Sequence, residues 1–294
     1  MAVSPPLPGL PARPVLRPGI AIARHDDQHL RVGTDPPHRL VVADRAVVRR
    51  LLDALTEGRP LPDLDGAAWL VLRGLHDAGL LVDADVLHRL RPEDPALVAW
   101  TQFGASAAER LEARAVARVG VWAAPEVREP AARLLRDAGV GVREPGEEAD
   151  VWLVASEGEL SRGALDDLVR DGVPHLAMAS SLGAVRLGPF VAPGTTACLR
   201  CVDAALAESD PRRALVVAQT TLDPGVPGPP RDPALTHLAV GWAVRDLLRY
   251  VEGECPSTWS TTYDLGPLAA PQPRRWPRHP HCGCAWDDLL TVAI

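Results

Sequence analysis

The chain has 294 residues, of which 47% are hydrophobic, and a formal net charge of −7. This length and composition predict a folded protein of two domains, and a negative chain with dispersed basic residues argues against nucleic acid as a partner. The chain contains no lysine and no asparagine, which excludes every mechanism that needs a Schiff-base lysine, a P-loop lysine or an asparagine donor. No apolar run has the length of a membrane span and the start lacks a signal-peptide pattern, so we expect a cytoplasmic protein without a membrane partner.

The first 84 residues combine a proline-rich start with short strands and two helices. We expect residues 1–15 to be disordered. Alternating apolar residues then predict three strands, and apolar residues spaced three or four apart predict two helices. The strands are 20–24, 28–32 and 38–42, and the helices run from an Asp44 cap to Glu57 and from an Asp65 cap to Gly79. This order over residues 16–84 is typical of a winged helix-turn-helix.

A winged helix can bind DNA or an added peptide strand, and the sequence favours the peptide. The second helix carries few basic side chains for a duplex reader. An exposed strand edge supplies backbone hydrogen bonds to a peptide, and a facing helix supplies side-chain selectivity. The alternative is that Trp69 and Leu72 are core residues. The predicted peptide contacts are Leu40, Val41, Val42, Trp69, Leu72, Arg73 and His76.

The remaining chain predicts an α/β domain over residues 116–294, after a polar linker at 85–115 that contains some helix. Strands and helices alternate, which predicts an open and mostly parallel sheet. The predicted strands are 117–123, 140–143, 150–155, 174–178 and 259–265, and the helices are 125–138, 163–171 and 232–253.

The loop after the first strand of this domain lacks the features of a phosphate site. Such loops are normally rich in glycine and end at a helix N-terminus. Here Ala123 and Ala124 take that place, Pro125 removes a backbone donor, and Glu126 and Glu129 add negative charge. We therefore expect no ATP binding.

Four of the five cysteines form two short clusters, Cys198–Cys201 and Cys282–Cys284, that are far apart in the chain. This pattern predicts one closed structural Zn²⁺ site with four thiolates, whose net charge nearby arginines offset. The short second spacer leaves His279 or His281 open as a replacement ligand. Disulfides are the alternative, and the lack of a secretory signal argues against them. The arginines are Arg200, Arg274, Arg275 and Arg278.

The segment Thr196–Asp203, the late helix and the C-terminal cysteine pair on a β/α scaffold resemble ThiF-like proteins of the ubiquitin-activating type. With the front module included, residues 16 to 290 resemble the cyclodehydratase partner proteins of azole-forming ribosomal peptide pathways. The resemblance implies that the front module is a precursor-peptide recognition element that binds a leader peptide. It also implies that the ThiF-like domain lacks adenylation activity, forms a homodimer and docks onto a YcaO cyclodehydratase.

The same resemblance assigns residue roles. It implies Zn²⁺ ligation by Cys198, Cys201, Cys282 and Cys284, no catalytic residue, and leader binding at the strand edge and helix named above. Two other functions stay open at this point. One is a ThiF-like adenylating or sulfur-transfer enzyme with Cys255 as the acceptor thiol, and the other is a zinc-containing winged-helix DNA-binding regulator.

Overall fold

The structure is a computed structural model that describes residues 8–91, 94–181, 183–224, 226, 232–268, 270–280 and 282–284. The chain divides into two compact units, Met1–Glu112 and Ala113–Ile294. Among the described residues, no helix has the length and hydropathy needed to cross a membrane.

The first unit contains two small antiparallel sheets, two amphipathic helices of 12 residues each and several shorter helical segments. Its elements are β1 (Pro14–Leu16), β2 (Ile22–Arg24), β3 (His29–Val32), β4 (Leu40–Ala43), α1 (Ala46–Glu57), α2 (Gly66–Asp77), β5 (Leu81–Asp83), α3 (Ala84–Leu87), α4 (Pro95–Phe103), a 3₁₀ turn (Gly104–Ser106) and the start of α5 (Ala107–Val116). One sheet has the strand order β2-β3-β4 and the other pairs β1 with β5. The predicted order of three strands and two helices is confirmed.

The helix caps of the first unit agree with the sequence in three of four places. The Asp65 carboxylate accepts a hydrogen bond from Ala68 N at 2.8 Å, and Gly58 ends α1 with φ of 66°. Gly79 follows α2 with φ of 65°. The predicted Asp44 cap is wrong, because Arg45 is the N-cap and the Asp44 carboxylate instead accepts from Arg49 Nε at 2.5 Å.

Two segments predicted to lie outside the folded domains belong to apolar clusters of the protein. Pro14 and Val15, which were expected to be disordered, form β1 with Leu16, and β1 pairs antiparallel with β5. The predicted linker at 85–115 contains helix, as expected, but Trp100 and Ala107 are buried and pack with Val15 and Val82 in one apolar cluster. These residues lie far apart in the chain, so no local periodicity indicates their contact.

The second unit is built on a seven-stranded sheet. Its elements are β6 (Arg118–Trp122), α6 (Pro125–Asp137), β7 (Gly141–Arg143), β8 (Val151–Ser156), β9 (Glu159–Leu160), α7 (Arg162–Arg170), β10 (His175–Ser181), β11 (Ala184–Val191), α8 (Leu199–Ala207), α9 (Arg213–Thr220), β12 (Thr221–Leu222), α10 (Pro233–Val251), β13 (Thr261–Leu265) and β14 (Pro273–Arg275). The order in the large sheet is β14-β13-β11-β10-β8-β6-β7.

This sheet is mixed, so the prediction of a mostly parallel sheet is wrong for one half. The strands β7, β6, β8 and β10 run parallel, as the β/α alternation predicts. The strands β11, β13 and β14 continue the sheet antiparallel. The sequence analysis missed β11 and β14.

Helices cover the two faces of the sheet. On one face, α6 and α10 share an apolar core with residues such as Val127, Leu135 and Leu247. On the other face, Trp152 and Leu165 pack with Leu199 at the start of α8. All six residues of β8 are buried, because this strand lies inside the sheet with helices on both sides.

One buried carboxylate ties α10 to the segment before β13. Asp246 is 1% exposed and accepts hydrogen bonds from Ser257 N at 2.9 Å, Thr258 N at 2.8 Å and Thr258 Oγ1 at 2.6 Å. Ser257 Oγ also donates to it and accepts from Trp242 Nε1 at 2.7 Å. Both carboxylate oxygens of Asp246 therefore accept hydrogen bonds from groups inside the protein.

We predict that Asp246→Ala lowers the free energy of unfolding by about 3 kcal/mol, because it leaves several buried donors without an acceptor. Denaturant unfolding of the full chain measures this change. The control is Asp167→Ala, which breaks an exposed pair with Arg170 and should cost less than about 0.5 kcal/mol. Equal effects of the two variants would contradict the assigned role of Asp246.

Candidate metal centre and peptide-binding edge

Four cysteine side chains from two distant segments meet beside the N-terminus of α8. Cys198 is the N-cap of this helix and Cys201 lies in its first turn, so the spacing of three places both sulfurs on one side. Cys282 and Cys284 come from the tail after β14. The four Sγ atoms all lie within 4.8 Å of one another.

The distances fit a metal-binding cluster rather than disulfides. Cys201 Sγ lies 3.8 Å from Cys198 Sγ, 3.0 Å from Cys282 Sγ and 3.3 Å from Cys284 Sγ. All five cysteines are free thiols, and a disulfide would need a sulfur separation of about 2.05 Å. Tetrahedral Zn²⁺ with bonds of about 2.3 Å separates its sulfur ligands by about 3.8 Å, which the Cys198–Cys201 pair matches, whereas the pairs that include Cys282 or Cys284 are closer, down to 2.8 Å between Cys282 Sγ and Cys284 Sγ. Four cysteines at these positions can bind a metal ion.

The thiols compete for ionisation because they lie so close together. Hydrogen bonds from Cys198 and its neighbours lower the pKa of Cys201, whereas the hydrogen bond to Cys201 raises the pKa of Cys198. Burial raises the pKa of Cys282 to about 12. A divalent cation removes this conflict, since its charge stabilises the thiolate form of every ligand.

Of the two histidines considered as replacement ligands, His279 is described and does not join the cluster. The His279 ring pairs with Glu208, with Nε2 3.5 Å from Oε1, and its backbone N–H donates to Cys201 Sγ at 3.2 Å. His281 lies outside the described residues. The described donors are therefore four thiols.

The four arginines predicted to offset the cluster charge have different positions. Arg200 borders the groove beside the cysteines, and its hydrogen bonds to Asp166 raise its pKa. Arg278 donates to the Cys284 carbonyl at 2.8 Å. Arg274 stacks on the Trp276 ring at 4.1 Å, and Arg275 is exposed on β14.

A partly buried charge network beside the cysteines was not predicted from the sequence. Arg162 Nε donates to Asp203 Oδ2 at 2.6 Å, and Arg213 Nη2 donates to Glu159 Oε1 at 3.0 Å. Burial opposes ionisation of Glu159, but its arginine partners outweigh burial and lower its pKa. No local pattern signals this network, because its members come from β9, α7, α8 and α9.

The segment that would bind a nucleotide phosphate contains alanines followed by proline and glutamate at the start of α6, as the sequence indicates. Ala123 and Ala124 are buried, and Ala124 is the N-cap of α6 without a side-chain hydrogen bond. Pro125 occupies the first turn together with Glu126. One acidic residue missed at first, Glu157, is buried just after the carboxyl end of β8, the edge where parallel sheets bind ligands.

The predicted peptide-binding strand β4 is an edge of its sheet. Asp44 N donates to Gln28 O, and hydrogen-bonded pairs alternate along an antiparallel ladder. It follows that Leu40 and Val42 bond to β3, whereas Val41 directs its N–H and C=O to the open edge. Val41 is 41% exposed and Val42 is buried in the core. An added strand would therefore bond to Val41 and not to its two neighbours.

The predicted helix residues Trp69, Leu72 and His76 share one side of α2, and that side lies away from β4. A Cβ atom placed on Gly74 would lie 3.2 Å from Leu40 Cδ2, so the Gly74 side of the helix faces β4. At about 100° per residue, Trp69 and His76 lie roughly 150° around the helix from Gly74. His76 instead lies beside Gly9, and Leu72 is 2% exposed in the core.

Peptide contacts by Trp69, Leu72, Arg73 and His76 remain a prediction, but the side of α2 that meets β4 is the Gly74 side. Arg73 is exposed, stacks on Trp69 at 5.7 Å and pairs with Asp77. The side of α2 that faces β4 consists of residues that the sequence analysis did not single out. They are Ala67, Leu70, Val71 and Gly74. Leu70 is 64% exposed.

The sequence matches no protein-family model and no curated protein. Solved structures with similar folds include E. coli MccB with succinimide, at a TM-score of 0.65 and 12% identity over 93% of this chain and 99% of that chain. The microcin C7 biosynthetic enzyme MccB with N-formylated MccA has a TM-score of 0.65 and 13% identity over 92% and 99% of the two chains.

A heterocyclase in complex with substrate and cofactor is similar at a TM-score of 0.64 and 14% identity, over 92% of this chain and 39% of that chain. At these identities the likeness establishes the fold, and it confirms the predicted ThiF-like resemblance at that level. Other MccB structures with this fold contain ATP or AMPCPP. Those complexes show that proteins of this fold can bind ATP, which conflicts with the expectation that this chain does not.

We predict that the purified protein contains about one zinc ion per chain. Cys198→Ser and Cys284→Ser should each remove the metal and lower the free energy of unfolding by at least about 4 kcal/mol, because metal binding at a structural site stabilises the fold. Elemental analysis and thermal melting measure the two effects. The control is Cys255→Ser, which changes an exposed cysteine outside the cluster and should alter neither. Full zinc content in both cluster variants would contradict the site.

Proposed function

We propose that this protein binds the leader of a ribosomally made precursor peptide and recruits it to a YcaO cyclodehydratase for azoline or azole formation. In this proposal the protein is a non-catalytic partner in the cytoplasm. Its leader site is the edge of β4 beside α2, and its second unit is a scaffold held by Zn²⁺. The second unit would dock on the enzyme and on a second copy of the chain.

The observation that carries the proposal is the open edge at Val41. Strand edges normally need covering or pairing, and a peptide strand satisfies this need through backbone hydrogen bonds. The exposed Leu70 on the neighbouring side of α2 offers an apolar contact for a peptide side chain. Two neighbours of the same fold, MccB with N-formylated MccA and a heterocyclase with substrate, support a role in peptide modification.

The other predicted contacts either support the strand and the helix or are expected to contribute less to leader binding. Leu40 and Val42 hold the strand in place, since both lie on the bonded side of β4. Leu72 supports α2 from the core. Trp69, Arg73 and His76 lie outside the Gly74 side, so we expect them to affect leader binding less than Leu70 does.

We predict that Val41→Pro weakens binding of the leader by about tenfold, because proline removes the outward donor. Proline is tolerated on edge strands, so the fold should survive. Leu70→Ala should also weaken binding, and Trp69→Ala should change it less. Fluorescence polarisation with the leader encoded beside this gene and with a scrambled peptide measures the effect.

The control for this experiment is Ile22→Pro, which alters the opposite edge of the sheet and should leave leader binding unchanged. Equal binding of the leader and the scrambled peptide by the folded protein would overturn the proposal. Equal cyclisation of the precursor by the partner enzyme with and without this protein would overturn it as well.

A second candidate function is ATP-dependent adenylation, which two observations favour. MccB structures of this fold contain ATP. The buried Glu157 lies just after β8, which is a common position for residues that bind ligands in parallel sheets. Against it, the loop at Ala123 and Ala124 has no glycine, and the chain has no lysine to bind phosphate.

We predict that calorimetry detects no binding of ATP to the isolated protein up to about 1 mM, the upper end of common KM values. The reason is that Pro125 and Glu126 stand where backbone donors would bind phosphate. Measurements with Mg²⁺ present test the candidate role of Glu157. A micromolar isotherm that Glu157→Gln abolishes would favour the adenylating enzyme instead.

A further inference from the structure

A buried arginine connects the two elements that border the proposed leader site. Arg17 follows β1 and is 6% exposed. Its Nη1 donates to Gly79 O at 3.5 Å, just after α2, and to His38 Nε2 at 3.4 Å, shortly before β4. Both acceptors lie at the end of the site where Gly74 of α2 meets Leu40 of β4. The guanidinium therefore joins α2 to β4 at this end.

The remaining donors of Arg17 bond to the last turn of α4. Its Nε donates to Thr101 O at 2.7 Å, and its Nη2 donates to Gln102 O. A cation is favourable at a helix C-terminus, because the carbonyl groups there carry partial negative charge. A Cβ atom placed on Gly104 would lie 3.1 Å from Gly79 O and 3.5 Å from Arg17 Cδ, so these segments pack closely. The end of α4 thus fixes the position of the guanidinium.

The contacts of His38 determine which of its ring nitrogens carries the proton. Arginine only donates, so Nε2 must be the acceptor, and Nδ1 then donates to Ala78 O at 3.4 Å. The neighbouring charged residues Asp35 and Arg39 are exposed, and neither bonds to the ring. In the described part of the chain, no carboxylate forms an ion pair with Arg17 or His38. Protonation of Nε2 would therefore replace a hydrogen bond by a contact between two positive charges.

We propose that Arg17 is a positioning residue for the leader site and that it acts through neutral His38. This inference rests on the proposed leader function. With His38 neutral, Arg17 holds the end of α2 beside the start of β4, and this sets the width of the site that contains Val41 and Leu70. With His38 protonated, the two cations repel each other and the site loses this constraint. Leader binding is therefore present at higher pH and weakens as the pH falls from about 8 to about 5, where histidine gains a proton.

The test measures leader binding by the full-length protein with fluorescence polarisation at about pH 7.5 and about pH 5.5, on either side of the usual histidine transition. We expect wild-type affinity to fall about tenfold at the lower pH, which corresponds to the loss of one hydrogen bond to a charged group. His38→Gln should lose much less, because glutamine offers an acceptor to Arg17 and a donor to Ala78 O but gains no charge. The control is His88→Gln, which changes an exposed histidine after α3 and should keep the wild-type pH dependence.

Arg17→Met should bind the leader about tenfold more weakly than the wild type at the higher pH, because it removes the donor to His38 and Gly79 O. If Arg17→Met does not fold, the comparison of the wild type with His38→Gln still decides. Equal pH dependence of leader binding in the wild type and His38→Gln would overturn the inference.

Nuclear magnetic resonance of the free protein separates a failure of this inference from a failure of the leader proposal. Leu40 lies against α2, so its methyl resonances report the contact between β4 and α2. They should shift between the two pH values in the wild type and not in His38→Gln. If they do so while the protein binds leader and scrambled peptide equally, the positioning role stands and the leader proposal fails. Shifts that persist in His38→Gln reject the positioning role.

Discussion

The second unit depends on the close packing of four sulfur atoms that belong to two distant segments. Cys198 and Cys201 share the first turn of α8, and Cys282 and Cys284 bring the tail to the same point. The tail also places Trp276 in the same apolar cluster, where its Nε1 donates to Thr262 Oγ1 at 2.9 Å. A cation bound by the four sulfurs would join the tail after β14 to α8. Backbone hydrogen bonds within strands and helices do not make this connection.

Ion pairs with little solvent exposure also occur in the second unit. The Glu252 side chain is fully buried and lies 2.5 Å from Arg114, and the partly buried Arg162 pairs with Asp203 of α8. Buried ion pairs contribute little net stability, since the loss of hydration offsets the attraction. These pairs instead select one arrangement of the chain, because an arrangement that leaves one charge unpaired in the interior is strongly disfavoured. The network thus favours one position of α8 and of the cysteines that it carries.

The first unit presents a different constraint, which is a short sheet with two open edges. Each edge has a helix beside it, α2 at β4 and α1 at β2. Gly74 lets α2 approach Leu40 closely, whereas the β2 side keeps a groove. The two edges therefore offer similar backbone chemistry with different side-chain surroundings, which is the usual basis of peptide selectivity.

Much of this architecture follows from the sequence, because local signals dictate it. The Cys198 and Cys201 spacing, the Asp65 cap and the Asp232–Pro233 start of α10 all act within one helical turn. Helical periodicity also shows which α2 residues share a side. It does not show which neighbour that side meets, and only the contact of Gly74 with Leu40 separates Trp69 from the β4 edge.

The tertiary structure decided the remaining features for the same reason. β1 pairs with β5 across most of the first unit, the antiparallel strands complete the large sheet, and Arg162 meets Asp203 across two helices. Each of these contacts joins residues far apart in the chain, so the energy that favours it appears only when the chain is folded. Local sequence thus determined the elements and the metal-binding spacing, and long-range packing determined the edges, grooves and buried charges.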